Sequence, residues 1–501
     1  MDLFSNLALG FGTALSLNNL LACLAGVTLG TFIGILPGVG PLVTIAVLLP
    51  LTYGLPPDAA IIMLSGIYYG AAYGGSTTAI LLNLPGESSA AVTCIDGYQM
   101  ARQGRAGPAL AIAAIGSLVA GTIGTLLIAV LGPWLANLAL QLGSAEYFSL
   151  MLMSIVAAAA LVHGSLLKGF GMALVGIAFG LAGTDVNSGI MRFTFGVPDL
   201  AEGIDFVIVA MGLFAFPEII SNLGQTLNRE VFTSKVHGLM PTKADLKASW
   251  KSILRGTGVG SVFGILPGAG QTVSSFAAYM VEKRVVRDPS RMGKGAIEGV
   301  AAPEAANNAA AQTAFIPTLT LGIPGSAVMA LILGALVIQG INPGPQVMVQ
   351  HPALFWGLIC SMWIGNVLLV ALNLPLVGLW VTLLKVPYRW LYPAILMFSC
   401  IGIYTLANST LDIGFAVMFG LIGYVFLKLR CEPAPFILGF ILGPLMEVNF
   451  RRTLLLSFGD PSVFVTRPIS AIFLTLAVLI VISLIVPSVR RRKEEAVEAE
   501  G

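Results

Sequence analysis

The chain has 501 residues and a mean hydropathy of +0.91; 56% of it is hydrophobic and only 10% charged, against roughly 25% charged in a soluble domain. That balance excludes a water-soluble globule and indicates an integral membrane protein, while a net charge of +2 provides no basic surface for nucleic acid. The five cysteines (Cys23, Cys94, Cys360, Cys400, Cys431) are scattered, with no Cys-x-x-Cys pair, so neither a disulfide framework nor a metal knuckle is indicated.

In chain order, the first Lys or Arg is Arg102, so the apolar N-terminus lacks a basic leader and is expected to be retained. The stretch Leu20 to Leu55 carries Gly34-Ile35-Leu36-Pro37-Gly38, followed by Gly40 and Pro41. Apolar segments follow at Ala109 to Ala136, Tyr147 to Val162, Gly169 to Ala182 and Phe206 to Ile220. Basic clusters at Arg102/Arg105, Lys168, Arg229 to Arg255 and Lys283 to Lys294 mark the cytoplasmic side, which places 185–205 outside.

Gly264-Ile265-Leu266-Pro267-Gly268, followed by Gly270, repeats the first motif at an offset of 230 residues. It lies in Ser252 to Met280, flanked by basic clusters on both sides. About 29 residues are too few for two full crossings of roughly 20 each, so this segment is expected to form a re-entrant hairpin of two half-helices. The second half then runs through Ala353 to Leu384, Leu391 to Leu406, Gly414 to Phe426 and Pro435 to Met446, with 341–352 and 408–412 outside. Arg451 and Arg452 fall outside in this scheme, against the positive-inside rule, before a final span from Ile469 to Val486 and a basic end at Arg490 to Lys493.

The expected fold is all-α: a polytopic membrane protein with two inverted-topology repeats, broken helices and re-entrant hairpins. Residues 1–230 form the first repeat with its hairpin around Pro37, and 231–251 a basic cytoplasmic linker. Residues 252–468 form the second repeat with its hairpin around Pro267, and 469–501 a terminal helix and charged tail.

A second pair of breakers supports the duplication: Leu82-Asn83-Leu84-Pro85-Gly86 matches Leu321-Gly322-Ile323-Pro324-Gly325 at an offset of 239. Pro removes a backbone donor and Gly admits open conformations, so a Pro-Gly break in lipid leaves backbone groups that substrate, ions or water must satisfy. A packing kink is the competing reading of any one break; four breaks in two matched pairs favour a site.

Beside the breaks lie polar patches: Gly75, Ser76, Thr77 and Thr78 in the first half, and Glu304, Asn307, Asn308 and Gln312 in the second. Hydroxyls, amides and half-helix N-termini suit an anion, although the same residues serve as interhelical glue. Substrate contacts are therefore expected from Gly38, Gly40, Pro41, Gly75, Ser76, Thr77, Thr78, Gly268, Gly270, Gln271, Thr272, Asn307 and Asn308. No Lys or Arg occurs in 1–101 or 296–384, so an anion there needs a co-bound cation, Na+ or H+. Its expected ligands are the freed carbonyls around Asn83, Pro85, Gly86, Gly322, Pro324 and Gly325, with Glu304; Glu87 lies just past its break, where a membrane interface is an equal reading. His163, His237 and His351 form no converging set, which disfavours an enzyme, and no cofactor or phosphate-binding loop is indicated.

The runs at 34–41, 73–86, 302–309 and 321–325, with Phe436 to Gly439, Glu447 and Arg451-Arg452, cover nearly the whole chain. Together they resemble the large membrane subunit of tripartite tricarboxylate transporters. The resemblance implies a bacterial inner-membrane importer of carboxylates driven by an ion gradient. It also implies a small membrane subunit and a periplasmic binding protein as partners. A permease of an ATP-driven importer and a channel are the alternatives.

Overall fold

The computed structural model describes residues 3–36, 40–161, 165–185, 188–217, 220, 238–266, 270–383, 393, 396–397, 400–401, 403–404 and 409–485. The breaker tips Pro37, Gly38, Pro267 and Gly268, together with His163, His237, linker residues 231–237, much of the segment 391–406 and the tail after 485, lie outside the described residues.

The first half opens with α1 (Leu3–Ala14), α2 (Leu17–Ile35), α3 (Pro41–Leu48) and α4 (Pro57–Leu82). It continues with α5 (Ala91–Arg102), α6 (Ala106–Ala139), α7 (Ser144–Leu161), α8 (Leu166–Gly180) and α9 (Phe206–Ala210), the last running into a π turn at Met211–Ala215. The second half comprises α10 (Lys243–Ile265), α11 (Gly270–Val285), α12 (Glu298–Thr313), α13 (Phe315–Leu321), α14 (Ala327–Ile338) and α15 (Gln346–Gln350). After these come α16 (Pro352–Asn373), α17 (Val377–Leu383), α18 (Thr410–Lys428), α19 (Ala434–Leu456), α20 (Val463–Thr466) and α21 (Pro468–Ile485). Among the described residues, extended pairing is confined to a two-residue ladder, Gly183–Thr184 against Met191–Arg192.

Helices α2, α6, α16 and α18 are long and apolar enough to cross a bilayer, so the chain is a multi-pass membrane protein. The predicted span Ala353 to Leu384 divides into α16 and α17 at Leu374-Pro375-Leu376, where proline cannot supply a helical donor. The predicted span Pro435 to Met446 is a correction in the other direction. Helix α19 runs on to Leu456 and carries Arg451 and Arg452 within it.

Local chemistry fixes several helix ends. The Thr242 side chain accepts from the Asp245 amide while the Asp245 carboxylate accepts from Thr242 N, a capping box that starts α10. Helix α4 stops at Asn83 with φ 56°, and α13 stops at Gly322 with φ 69°. These left-handed residues occupy equivalent places in the two breaks, and Asn and Gly are the residues that tolerate that conformation. Pro85 and Pro324 then prevent either helix from resuming at once.

The two halves also pack alike. Helix α2 lies on α4, and α10 lies on α12, in each case through a row of glycines. A Cβ added at Gly26, Gly30 or Gly34 would run into the backbone of Met63, Ile67 or Ala71. At Gly256, Gly260 and Gly264 it would run into the backbone of Ala302, Ala306 and Ala310. Every glycine is shifted by the first motif's offset and every facing residue by the second's. Small residues at this spacing allow the close backbone approach on which helix association in lipid depends.

Long-range polar contacts join the halves. The Asp96 carboxylate, on α5 and fully buried, accepts from Gly293 N at 2.9 Å, Gly295 N and Ala296 N at 2.8 Å and Tyr279 Oη at 2.9 Å. It thereby fixes the turn from α11 into α12. Glu282 near the end of α11 accepts from Ser252 at 2.7 Å and from Arg255 at 2.5 Å. Within the second half, the end of α11 therefore lies against the middle of α10.

Candidate functional site

Both breaks and the starts of α3 and α11 meet at one cavity of about 640 Å³. Gly40 and Pro41 at the start of α3, and Pro85, Gly86, Glu87, Ser88 and Ser89 after α4, line it from the first half. Gly270, Gln271 and Thr272 at the start of α11, and Gly325 and Ser326 after α13, line it from the second. Tyr68, Phe214 and Leu438 provide part of an apolar wall. The hydroxyls of Ser88 and Thr272 lie 2.9 Å apart and tie the first break to the start of α11. Gly86 is required here by close approach, since a Cβ would fall on the Gly34 carbonyl oxygen.

The other predicted site residues lie behind this cavity. Ser76 donates to Glu304 Oε2 at 2.5 Å, and Thr93 donates to Oε1 of the same carboxylate. Glu304 is 1% exposed, and beside it is a second space of about 20 Å³ lined also by Tyr73, Ser76, Thr77, Ser117 and Asn373, room for about one water. Thr78 turns back onto the Gly75 carbonyl at 3.0 Å. Gly75 faces the Glu87 side chain, which a Cβ would approach to 3.1 Å.

Helix α12 divides its polar residues among different neighbours. Asn307 Nδ2 lies 3.4 Å from Glu87 Oε1, whereas Asn308 donates to Ser117 Oγ at 2.6 Å and to the Glu304 carbonyl. Asn308 and Glu304 therefore belong with the small inner space, whereas Asn307 turns to Glu87 on the cavity wall. Asn83 is exposed, and Gly322 packs near the Pro343 carbonyl. The predicted carbonyl ligands on the cavity wall are thus those of the Pro85-Gly86 and Gly325 backbone.

Sequence reasoning gave Glu87 little weight and passed over Ser88, Ser89, Thr93 and Ser326. The run Glu87-Ser88-Ser89 directly after a Pro-Gly break was the available signal for the first two. Thr93 carried none, because its role arises when α5 packs on α12.

Residues 20–438 match the model of the tripartite tricarboxylate transporter TctA family. The chain belongs to this family. It is a family of transporters, not enzymes, and its name denotes a tripartite system. An Agrobacterium vitis protein described as an uncharacterized 52.8 kDa protein in the TAR-I ttuC' 3' region is 53% identical over 495 residues, covering 99% of both chains. A second protein of the same organism, described as an uncharacterized protein in the TAR-II ttuC' 3' region, is 56% identical over 236 residues, 47% of this chain and 98% of that one. No solved structure matches the chain.

Proposed function

We propose that this TctA-family chain is the permease subunit of a bacterial inner-membrane importer that takes up di- or tricarboxylates at the expense of an ion gradient, most simply sodium. Substrate arrives from a periplasmic binding protein, and a small membrane subunit completes the complex. The observation that carries this reading is the cavity shared by both breaks and by the starts of α3 and α11. Freed backbone groups and hydroxyls from the two halves converge there, as expected of a transporter site built from discontinuous helices.

The matched glycine rows and left-handed caps support two repeats related by duplication, with α2–α3 and α10–α11 as re-entrant hairpins of opposite orientation. Alternating access would then move the hairpin-bearing elements relative to the rest. Cysteines at Lys251 on α10 and Lys283 near the end of α11 should both label from the cytoplasm. Labelling of either from the periplasm would overturn the hairpin and the inversion.

The functional test is reconstitution in liposomes with the two companion subunits, using citrate as the probe. Accumulation should require a sodium gradient and all three components. Vanadate-sensitive uptake would indicate an ATP-driven importer instead, and equilibration without accumulation a channel. Full accumulation by the chain alone would refute the tripartite arrangement.

A further inference from the structure

The charges on the cavity wall run opposite to those expected for an anion site. Its acidic lining residues are Glu87 and Glu432, and no Lys or Arg is among the described residues that line it. A di- or tricarboxylate entering such a space meets a like charge in surroundings where repulsion is poorly screened. Binding then requires that a cation already be present or arrive with the substrate.

The surroundings of Glu87 indicate where that cation sits. The Ser89 hydroxyl and Asn307 Nδ2 both approach Glu87 Oε1, which holds the carboxylate against the wall. Asn307 is 1% exposed, and its Oδ1 is buried without a partner among the described residues. The paired hydroxyls of Ser88 and Thr272 belong to the same wall, next along the chain from Glu87 and across from it on α11. One carboxylate, the unpaired amide oxygen of its neighbour Asn307 and two hydroxyls of the same wall are all oxygen donors, the type that suits a hard cation and does not favour transition metals.

We propose that Glu87 and Asn307, with the Ser88 and Thr272 hydroxyls, form the sodium site that makes carboxylate binding conditional on the coupling ion. The site draws on both halves: Glu87 and Ser88 follow α4, Thr272 is on α11 and Asn307 is on α12. Sodium bound there neutralises Glu87 and presents positive charge to a substrate carboxylate. The free cavity therefore repels the anion, and the ion and substrate each increase the other's affinity. This inference rests on the sodium-coupled reading above and adds the residues that carry it.

The test is equilibrium binding of radiolabelled sodium to the full chain in lipid nanodiscs at fixed pH. Wild-type protein should bind sodium, and Glu87→Gln should weaken binding by at least about tenfold, as removal of a charged ligand predicts. Glu87→Asp should recover part of the loss. Asp58→Asn, which removes a carboxylate paired with Asn19 at the start of α4, should bind as wild type does. If Glu87→Gln does not yield folded protein by size exclusion, Asn307→Ala and Thr272→Val provide the same readout, and each should weaken sodium binding. Wild-type affinity in all the folded Glu87, Asn307 and Thr272 variants would overturn the site while leaving sodium coupling intact. No sodium binding by the wild type would overturn both.

Discussion

Ser76 and Glu304 stand 228 residues apart, yet the hydroxyl of one donates to the carboxylate of the other at 2.5 Å inside the protein. With Thr93 on the second carboxylate oxygen, this contact joins α4 and α5 of the first half to α12 of the second. It also buries an ionisable group on α12, the same helix whose Asn307 reaches Glu87 on the cavity wall. Ser76→Ala and Thr93→Val should each lower stability by about 1–3 kcal/mol, the cost of leaving a buried polar group short of a partner. Chemical denaturation in detergent would measure this. Glu304→Gln keeps the shape and one acceptor, so it should fold; if protons rather than sodium drive transport, it should abolish pH-driven uptake. Unchanged stability in both hydroxyl variants would remove Glu304's anchoring role.

The glycine rows give a matched pair of variants. Gly30 on α2 and Gly260 on α10 hold equivalent places against Ile67 and Ala306. Valine at either site should push its helix pair apart and destabilise the protein by about 1–3 kcal/mol or more, the usual cost of overpacking. Gly12, which has open space around its Cβ position, is the control and should tolerate alanine. A thermal-shift series of the three variants tests the pattern.

The left-handed caps make a second matched pair. Asn83→Gly should be tolerated, since glycine adopts the observed φ of 56° freely. Gly322→Val should cost about 1–3 kcal/mol because a β-branched residue is strained there, and its Cβ would also lie 3.0 Å from the Pro343 carbonyl oxygen. Each position lies within three residues of the cavity wall at Pro85 or Gly325, so citrate uptake should fall with Gly322→Val and persist with Asn83→Gly.

The capping box of α10 predicts a pH dependence. Burial alone would raise the Asp245 pKa, but bonds from the Thr242 hydroxyl and amide and from the Arg105 guanidinium outweigh it and hold the carboxyl below its ordinary value. A depressed folded-state pKa means that the stabilisation is complete above the unfolded value of about 3.9 and is lost as pH falls through the folded one. The melting-temperature gap between wild type and Asp245→Asn should therefore be constant from neutral pH to about pH 5 and narrow below about pH 4. A gap that widens on acidification would contradict the assignment.

The Arg451-Arg452 pair shows where sequence counting reaches its limit. By the positive-inside rule two arginines opposed an external placement. In the structure Arg451 meets Asp185 at 2.9 Å and Glu447 at 2.6 Å, and Arg192 meets Glu447 at 2.8 Å. Arg451 thus lies with the connector at 185–205 that the scheme had already put on that side. Its charge is offset by a carboxylate 266 residues away, which a count over neighbouring residues cannot register.

Sequence alone determined whatever depends on a residue and its immediate neighbours. Composition marked the solvent as lipid, apolar runs marked the long spans α2, α6, α16 and α18, and Pro-Gly pairs marked where α4 and α13 stop, because a missing amide or a left-handed φ acts within a single turn. The duplicated motifs even indicated which segments would line the cavity, and Gly40, Pro41, Pro85, Gly86, Gly270, Gln271, Thr272 and Gly325 do so. Tertiary structure alone decided which polar side chains face that cavity. Asn307 and Asn308 are adjacent in sequence, but about 100° of helical rotation separates them, so one reaches Glu87 and the other Ser117. Glu304 turns toward Ser76 and Thr93, while Glu87, which the sequence left at an uncertain interface, stands on the wall. A helix presents every direction around its axis, and only its packed neighbours select which direction becomes a site.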